Sequence, residues 1–179
     1  MRQVFIGITG LQATGKSHVA ERISEHFKIT HVRTDAIREF LIQNVKEYAM
    51  ADYSNHNPLI AKVNSIVARM RDALVEELLS QGHSVILDSC GSTKEKRAQR
   101  FGHAPKGVTT VLIHVIAPEK DIRERLAQRD KEKNTSWLTT YNIHWEKLFE
   151  APTHDEADYV FTITSNDITI LVEKLKQVL

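Results

Sequence analysis

The octapeptide Gly10-Leu11-Gln12-Ala13-Thr14-Gly15-Lys16-Ser17 fits the pattern G-x-x-x-x-G-K-[ST], whose chemistry is the capture of phosphate groups. The backbone N–H groups of such a loop wrap a phosphate, and the N-terminus of a following helix adds about half a positive charge. The lysine reaches the outer phosphates, and the hydroxyl that follows it can ligate Mg2+. Candidate nucleotide contacts are therefore Gly10, Ala13, Thr14, Gly15, Lys16, Ser17 and His18, with Ser17 also a metal ligand. The flanking residues suit this reading. Gln3 to Thr9 is an apolar run of strand length, and Ser17 to Phe27 carries apolar residues at Val19, Ala20, Ile23 and Phe27, the spacing of a helix. A strand that feeds a glycine loop that feeds a helix points to binding of a nucleoside triphosphate.

The remaining elements must place acceptor and metal chemistry beside that loop. A second strand is expected over Ile29 to Val32, ending at Arg33-Thr34-Asp35, with a short helix over Ala36 to Ile42. The longest helix runs from Pro58 to about Gln81, marked by Leu59, Val63, Ile66, Met70, Leu74 and Leu78, with Gly82 past its end. Further strands are expected over His83 to Asp88, Val108 to Ile116 and Tyr159 to Ile163. Helices are expected over Thr93 to Gly102, from Pro118 to about Arg129, over an aromatic stretch from Trp137 to Leu148, and over Asp167 to Leu179. Alternating strands and helices with short connections imply an α/β fold, a parallel sheet covered on both faces in three layers.

In such a sheet the ligand lies at the carboxyl ends of the strands. The polar residues expected there are the glycine loop, Asp35 with Arg38, Asp88 with Ser89, and Thr164 to Asp167. Val85-Ile86-Leu87-Asp88 has the form of a strand ending in the acid that holds Mg2+ beside a P-loop; alone, such an acid is equally a turn former or helix cap. Asp35 and Arg38 lie one helical turn apart, either as an i,i+3 ion pair or as a proton acceptor with an arginine that fixes the substrate. Arg125 and Arg129 share a helix face, which is either solvated or a clamp on the transferring phosphoryl group. The polar Asp130 to Ser136 that follows is the place for a lid.

Taken together, G-x-x-x-x-G-K-S, Thr-Asp-x-x-Arg at 34 to 38, the strand ending in Asp88, Arg-x-Arg-Leu-x-x-Arg at 123 to 129, and Glu150-Ala151-Pro152 with Glu156-Ala157-Asp158 resemble the small P-loop kinases. Within them the chain is most similar to the branch that holds polynucleotide 5′-kinase domains and many uncharacterised predicted kinases. The resemblance implies a five-stranded parallel sheet in the order 2-3-1-4-5 with a mobile helical lid, about 123 to 148, in a single P-loop kinase domain over 1 to 179. By matching position it implies Lys16 and Ser17 as phosphate and metal ligands, Asp35 as general base, Arg38 as an acceptor-side arginine and Arg125 as the lid arginine. Members of this branch phosphorylate antibiotics, sugar acids, nucleotides and peptidoglycan precursors. The filling Leu11-Gln12-Ala13-Thr14 departs from the smaller glycine- and serine-rich filling usual in these loops.

Composition narrows the partners. The 179 residues, 41% hydrophobic, suffice for one domain, and a formal charge of +1 supplies no general basic field for nucleic acid. The single cysteine, Cys90, excludes an internal disulfide framework. The scattered histidines show no zinc spacing, no apolar run reaches membrane length, and the N-terminus reads as a core strand, so a cytoplasmic protein is expected. The acceptor pocket is expected between Ile42 and the long helix, where Tyr48, Tyr53, His56 and Asn57 either stack on a substrate or cover the core. Trp137, Tyr141 and Trp145, four residues apart, point to a helix packed onto the domain. ATP is expected over GTP because no N-K-x-D signature occurs, with adenine between Arg129 and the Thr164 to Asp167 loop. The expected activity is an ATP- and Mg2+-dependent kinase acting on a hydroxyl acceptor. A nucleic-acid 5′-hydroxyl is favoured, a nucleoside, nucleotide or other small molecule is the alternative, and an ATPase or switch module is the reading from another class.

Overall fold

Val4–Thr9 forms strand β1, with only Gly7 less than fully buried, and it hydrogen-bonds to a parallel neighbour on each side. The computed structural model describes residues 2–49, 51, 58–133, 136–142 and 146–179. After β1 come helix α1 (Lys16–Phe27), β2 (Thr30–Arg33), α2 (Thr34–Asn44), a 3-10 turn (Lys46–Tyr48), α3 (Pro58–Ser80) and β3 (Val85–Asp88). They are followed by α4 (Lys94–Phe101), β4 (Thr109–Ile116), α5 (Glu119–Lys133), the short α6 (Trp137–Thr140) and α7 (Glu146–Leu148), β5 (Tyr159–Thr164) and α8 (Ile168–Lys176). The sheet order is β2-β3-β1-β4-β5, all parallel, as the resemblance implied.

The near-continuous apolar runs of β1, β3 and β4 follow from burial on both faces. Successive side chains of β1 part company. Val4, Ile6 and Ile8 pack with Val19, Ala20 and Ile23 of α1 and with Leu171 and Leu175 of α8, while Phe5 packs with Val75 and Leu79 of α3. Phe5 also meets Phe101 of α4 edge to face at 5.3 Å. These two cores on either side of one sheet make the three layers.

The long helix ends where Gly82 allows it. Gly82 takes φ 83°, and the N–H groups of Gly82 and His83 return to the carbonyls of Leu79 and Leu78, so the left-handed residue satisfies the last turn. Inside α3 the buried stripe is Ile60, Val63, Val67, Val75 and Leu79, whereas Met70 and Leu74 are exposed. The period is the expected one, but the face is turned by about one position from the marked residues. In this register Arg71 occupies the inward position between Val67 and Val75.

Two boundaries differ from the sequence reading in ways that matter. Helix α2 begins at Thr34, so Asp35 lies in its first turn, where an acid is favoured. Helix α5 continues to Lys133 instead of ending near Arg129, and the Asp130 carboxylate accepts the N–H groups of Trp137 and Leu138 at 2.8 and 2.9 Å. The described part of the expected lid is thus helical and capped. Of the expected single aromatic helix, the described residues form α6, a π turn at Tyr141 and Asn142, and α7. Tyr141 is buried against Ile122 and Leu126 of α5, with Trp137 beside it, which is the packing role; Trp145 lies outside the described residues.

Candidate functional site

The loop between β1 and α1 is held by its main chain. Gly10 takes φ 143°, and a Cβ there would stand 2.3 Å from the Val115 carbonyl oxygen. Gly15 takes φ 99°, and its Cβ would stand 2.8 Å from Ser165 Cβ. Ala13, at φ 59°, completes a run of left-handed turns of the kind that aims N–H groups at an anion. Thr14 is buried and donates to the Leu11 carbonyl at 2.9 Å, so its side chain braces the loop from inside.

Lys16 Nζ donates across the loop to the Leu11 carbonyl at 2.6 Å. Burial lowers its pKa, opposed by the nearby Cys90, Asp88 and Asp35. Asp88 is buried at the end of β3. Burial pushes its carboxyl up, but His31, the Ser17 hydroxyl and the Lys16 charge outweigh that, and its pKa falls below the ordinary value. His31 Nε2 faces Asp88 Oδ2 at 3.8 Å, beyond hydrogen-bond reach, and has no other partner among the described residues. An ionised carboxylate with a hydroxyl beside it is an oxygen donor pair suited to Mg2+, so the pair Ser17 and Asp88 fits that ion. Among the described residues no group of three or more His, Cys, Asp or Glu side chains could hold a metal.

A single cleft of about 1130 Å³ connects this loop to the α2–α3 wall. Ala13, Gly15, Lys16, Ser17 and His18 line its donor end with Asp88, Arg125 and Arg129. Gly10 and Thr14 do not line it and serve the loop's shape. Arg125 Nη1 donates to the Ala13 carbonyl at 2.9 Å, and the Arg129 charge bears on Lys16, so these two of the three arginines of α5 stand by the loop. Ser165 lines the cleft too; the carboxylate of Asp167 holds its loop by accepting from the amide and hydroxyl of Thr164 at 3.0 and 2.7 Å.

At the other end Asp35 and Arg38 form an ion pair, and Arg38 Nε donates to Asn64 Oδ1 of α3 at 2.9 Å. Arg38 is largely covered while Asp35 stays open to the cleft, at 17% and 72% side-chain exposure. The structure thus brings together every residue assigned to chemistry. Of the two readings open for Tyr48 it bears out the cover: Tyr48 is buried with Leu41, Ile60 and Val63 between α2 and α3. Tyr53, His56 and Asn57 lie outside the described residues.

Three arginines escaped the sequence reading. Arg71 of α3 and Arg100 of α4 line the same cleft. Arg97 is buried and fixes the β3–α4 loop: it donates to both oxygens of Glu156 at 2.6 and 2.9 Å and to the carbonyls of Gly91 and Glu150 at 2.9 and 2.8 Å. Burial raises the Glu156 carboxyl, and Arg97 with the Thr153 amide more than offsets this. The signal for Arg71 was its inward position on α3, and for Arg97 its i,i+4 spacing to core Phe101.

The family model described as AAA domain matches residues 6–147. No curated protein matches the chain. Among solved structures, a candidate kinase from Chloroflexus aurantiacus j-10-fl is similar over 100% of both chains, at 18% identity and a TM-score of 0.79. A gluconokinase from Sinorhizobium meliloti 1021 is similar over 97% of this chain and 95% of its own, at 15% identity and TM-score 0.59. The APS kinase of Mycobacterium tuberculosis, in complex with AMPPNP and APS, is similar over 98% of both chains, at 18% identity and TM-score 0.59. The matched residues run from β1 past α6 and include both ends of the cleft, so the chain belongs to the AAA-domain family and has the small P-loop kinase fold.

Proposed function

We propose that this protein is an ATP-dependent kinase that moves the γ-phosphoryl group to a hydroxyl of a small molecule. The observation that carries this is the single cleft with Lys16, Ser17 and Asp88 at one end and Asp35 with Arg38 at the other. A hydrolase needs only the first of these; a transferase needs both. Asp35 accepts the proton of the acceptor hydroxyl as its oxygen bonds to the γ-phosphorus, and the bond to the β-phosphate oxygen breaks to release ADP. Arg38, anchored by Asn64, orients Asp35 and the acceptor. Lys16, Arg125 and Arg129 balance charge on the phosphoryl oxygens. Mg2+ held by Ser17 and Asp88 would neutralise the β and γ phosphates when bound.

The gluconokinase and APS kinase folds support a small-molecule acceptor over the nucleic-acid 5′-hydroxyl that the sequence favoured. So does the wall itself: Tyr48 is packed into the core and offers no ring for a base. Labelled-phosphate transfer from ATP across sugars, sugar acids, nucleosides, nucleotides and 5′-hydroxyl oligomers tests the reading. Transfer to a small hydroxyl compound is expected. Transfer to oligomers alone would restore the nucleic-acid acceptor, and steady hydrolysis that no acceptor stimulates would replace the kinase with an ATPase.

A further inference from the structure

We propose that the acceptor carries an oxyanion, a phosphate or a carboxylate, which docks between Arg71 of α3 and Arg100 of α4. This deepens the kinase reading and rests on it. Arg71 takes the inward position of α3 between the buried Val67 and Val75, a place where the rest of the stripe is apolar. Among the described residues its guanidinium pairs only with the neighbouring Asp72, at 2.7 Å, and it is largely covered. Arg100 is half-buried and lines the same cleft, and among the described residues its guanidinium has neither a hydrogen bond nor an ion pair. A guanidinium with five donors withdrawn from water and given no acceptor is costly.

The fold makes room for that guanidinium deliberately. Gly91 takes φ 51°, and a Cβ there would lie 2.6 Å from Arg100 Nη1, so any larger residue at this point of the β3–α4 loop would displace it. Burial lowers the pKa of Arg100 to about 10, and the next contribution is the like charge of Arg71. The two guanidinium groups thus repel, and Asp72, which pairs with Arg71, offsets only part of this at Arg100. An oxyanion with two or more acceptor oxygens resolves both problems, because the planar forks of arginine match it geometrically. The triphosphate does not need them: Lys16, Arg125 and Arg129 already stand at the loop, and Arg38 is engaged by Asp35 and Asn64. An anion held at Arg71 and Arg100 leaves the rest of the acceptor free to present its hydroxyl to Asp35.

The test is calorimetric titration of inorganic phosphate and, separately, acetate into protein saturated with AMPPNP and Mg2+, so that the glycine loop is filled. Saturable binding is expected, with Arg71→Gln and Arg100→Gln each weakening it by about tenfold or more, the loss of a charge-assisted hydrogen bond. Arg100→Lys, which keeps the charge and loses the fork, should lose less. AMPPNP affinity in all three variants should stay within about twofold of the parent, which also reports that they fold. Phosphate bound well above acetate assigns a phosphorylated acceptor, and comparable binding assigns a carboxylate. AMPPNP binding without saturable anion binding, or anion binding that survives both glutamine variants, overturns this proposal and leaves the kinase reading standing. Absence of AMPPNP binding to the parent protein overturns both.

Discussion

At the donor end of the cleft the main chain does the work: Gly10 lies against the Val115 carbonyl, Gly15 against Ser165, and Arg125 grips the Ala13 carbonyl. At the acceptor end the wall is made of side chains. Arg38 leans on Asn64 and Arg71 on Asp72, while Arg100 has no side-chain partner among the described residues and fills the space that Gly91 leaves. Backbone anchoring suits a ligand that every relative shares, since it survives side-chain drift. Side-chain anchoring suits a ligand that changes, since one substitution re-writes the wall. The donor end therefore reports the reaction class, and the acceptor end reports the substrate.

The sharpest way to break that division is Asp35→Asn. Loss of the proton acceptor should lower turnover by about 10²- to 10⁴-fold while AMPPNP affinity is unchanged; a variant that still transfers phosphate at the parent rate would remove Asp35 from the chemistry. Arg97→Ala should come next, costing about 3–5 kcal/mol of stability because Glu156 would be left charged and buried. Denaturant unfolding measures it, and a loss under about 1 kcal/mol would show that the pair does not hold the β3–α4 loop. Arg125→Ala frees a loop carbonyl and removes one charge from the phosphoryl oxygens, so it should lower kcat/KM for ATP by about tenfold or more with acceptor KM unchanged; a change confined to the acceptor KM would place Arg125 on the wrong side of the cleft.

The smallest effect is a slope. The folded pKa of Asp88 lies below its ordinary value, so the stability it contributes is present above the ordinary carboxylate range and lost as pH falls through the depressed value. Asp88→Asn should flatten the acid limb of the stability curve. Parallel acid limbs in thermal melts across pH 3 to 7 would show that Asp88 is not held ionised by Lys16 and Ser17.

The sequence made the donor end legible because its signals are local. Gly10, Gly15, Lys16 and Ser17 sit within eight residues, and the alternation of apolar runs with helical periods was enough for the order of layers. The strand order itself came from the family likeness, and the sheet has it. The acceptor end depends on contacts between elements far apart in the chain. Which face α3 turns inward decided that Arg71 enters the cleft and Tyr48 does not, and a period alone leaves that rotation free by one position. The start of α6 was invisible for the same reason: Asp130 of α5 caps it by accepting the N–H groups of Trp137 and Leu138, a contact with no spacing rule.

The Arg97 knot has a consequence for anyone who would borrow this site. It ties residue 91 to residues 97, 150 and 156 through one guanidinium, so the shape of the β3–α4 turn is written in two stretches of chain. That turn is not a portable cassette. Grafted into another scaffold with its strand and helix alone, it would lack Glu156 and the Glu150 carbonyl, and Arg97 would be free to swing into the space that Gly91 keeps for Arg100. Substrate swapping in this architecture has to move residues 85–101 and 150–156 together.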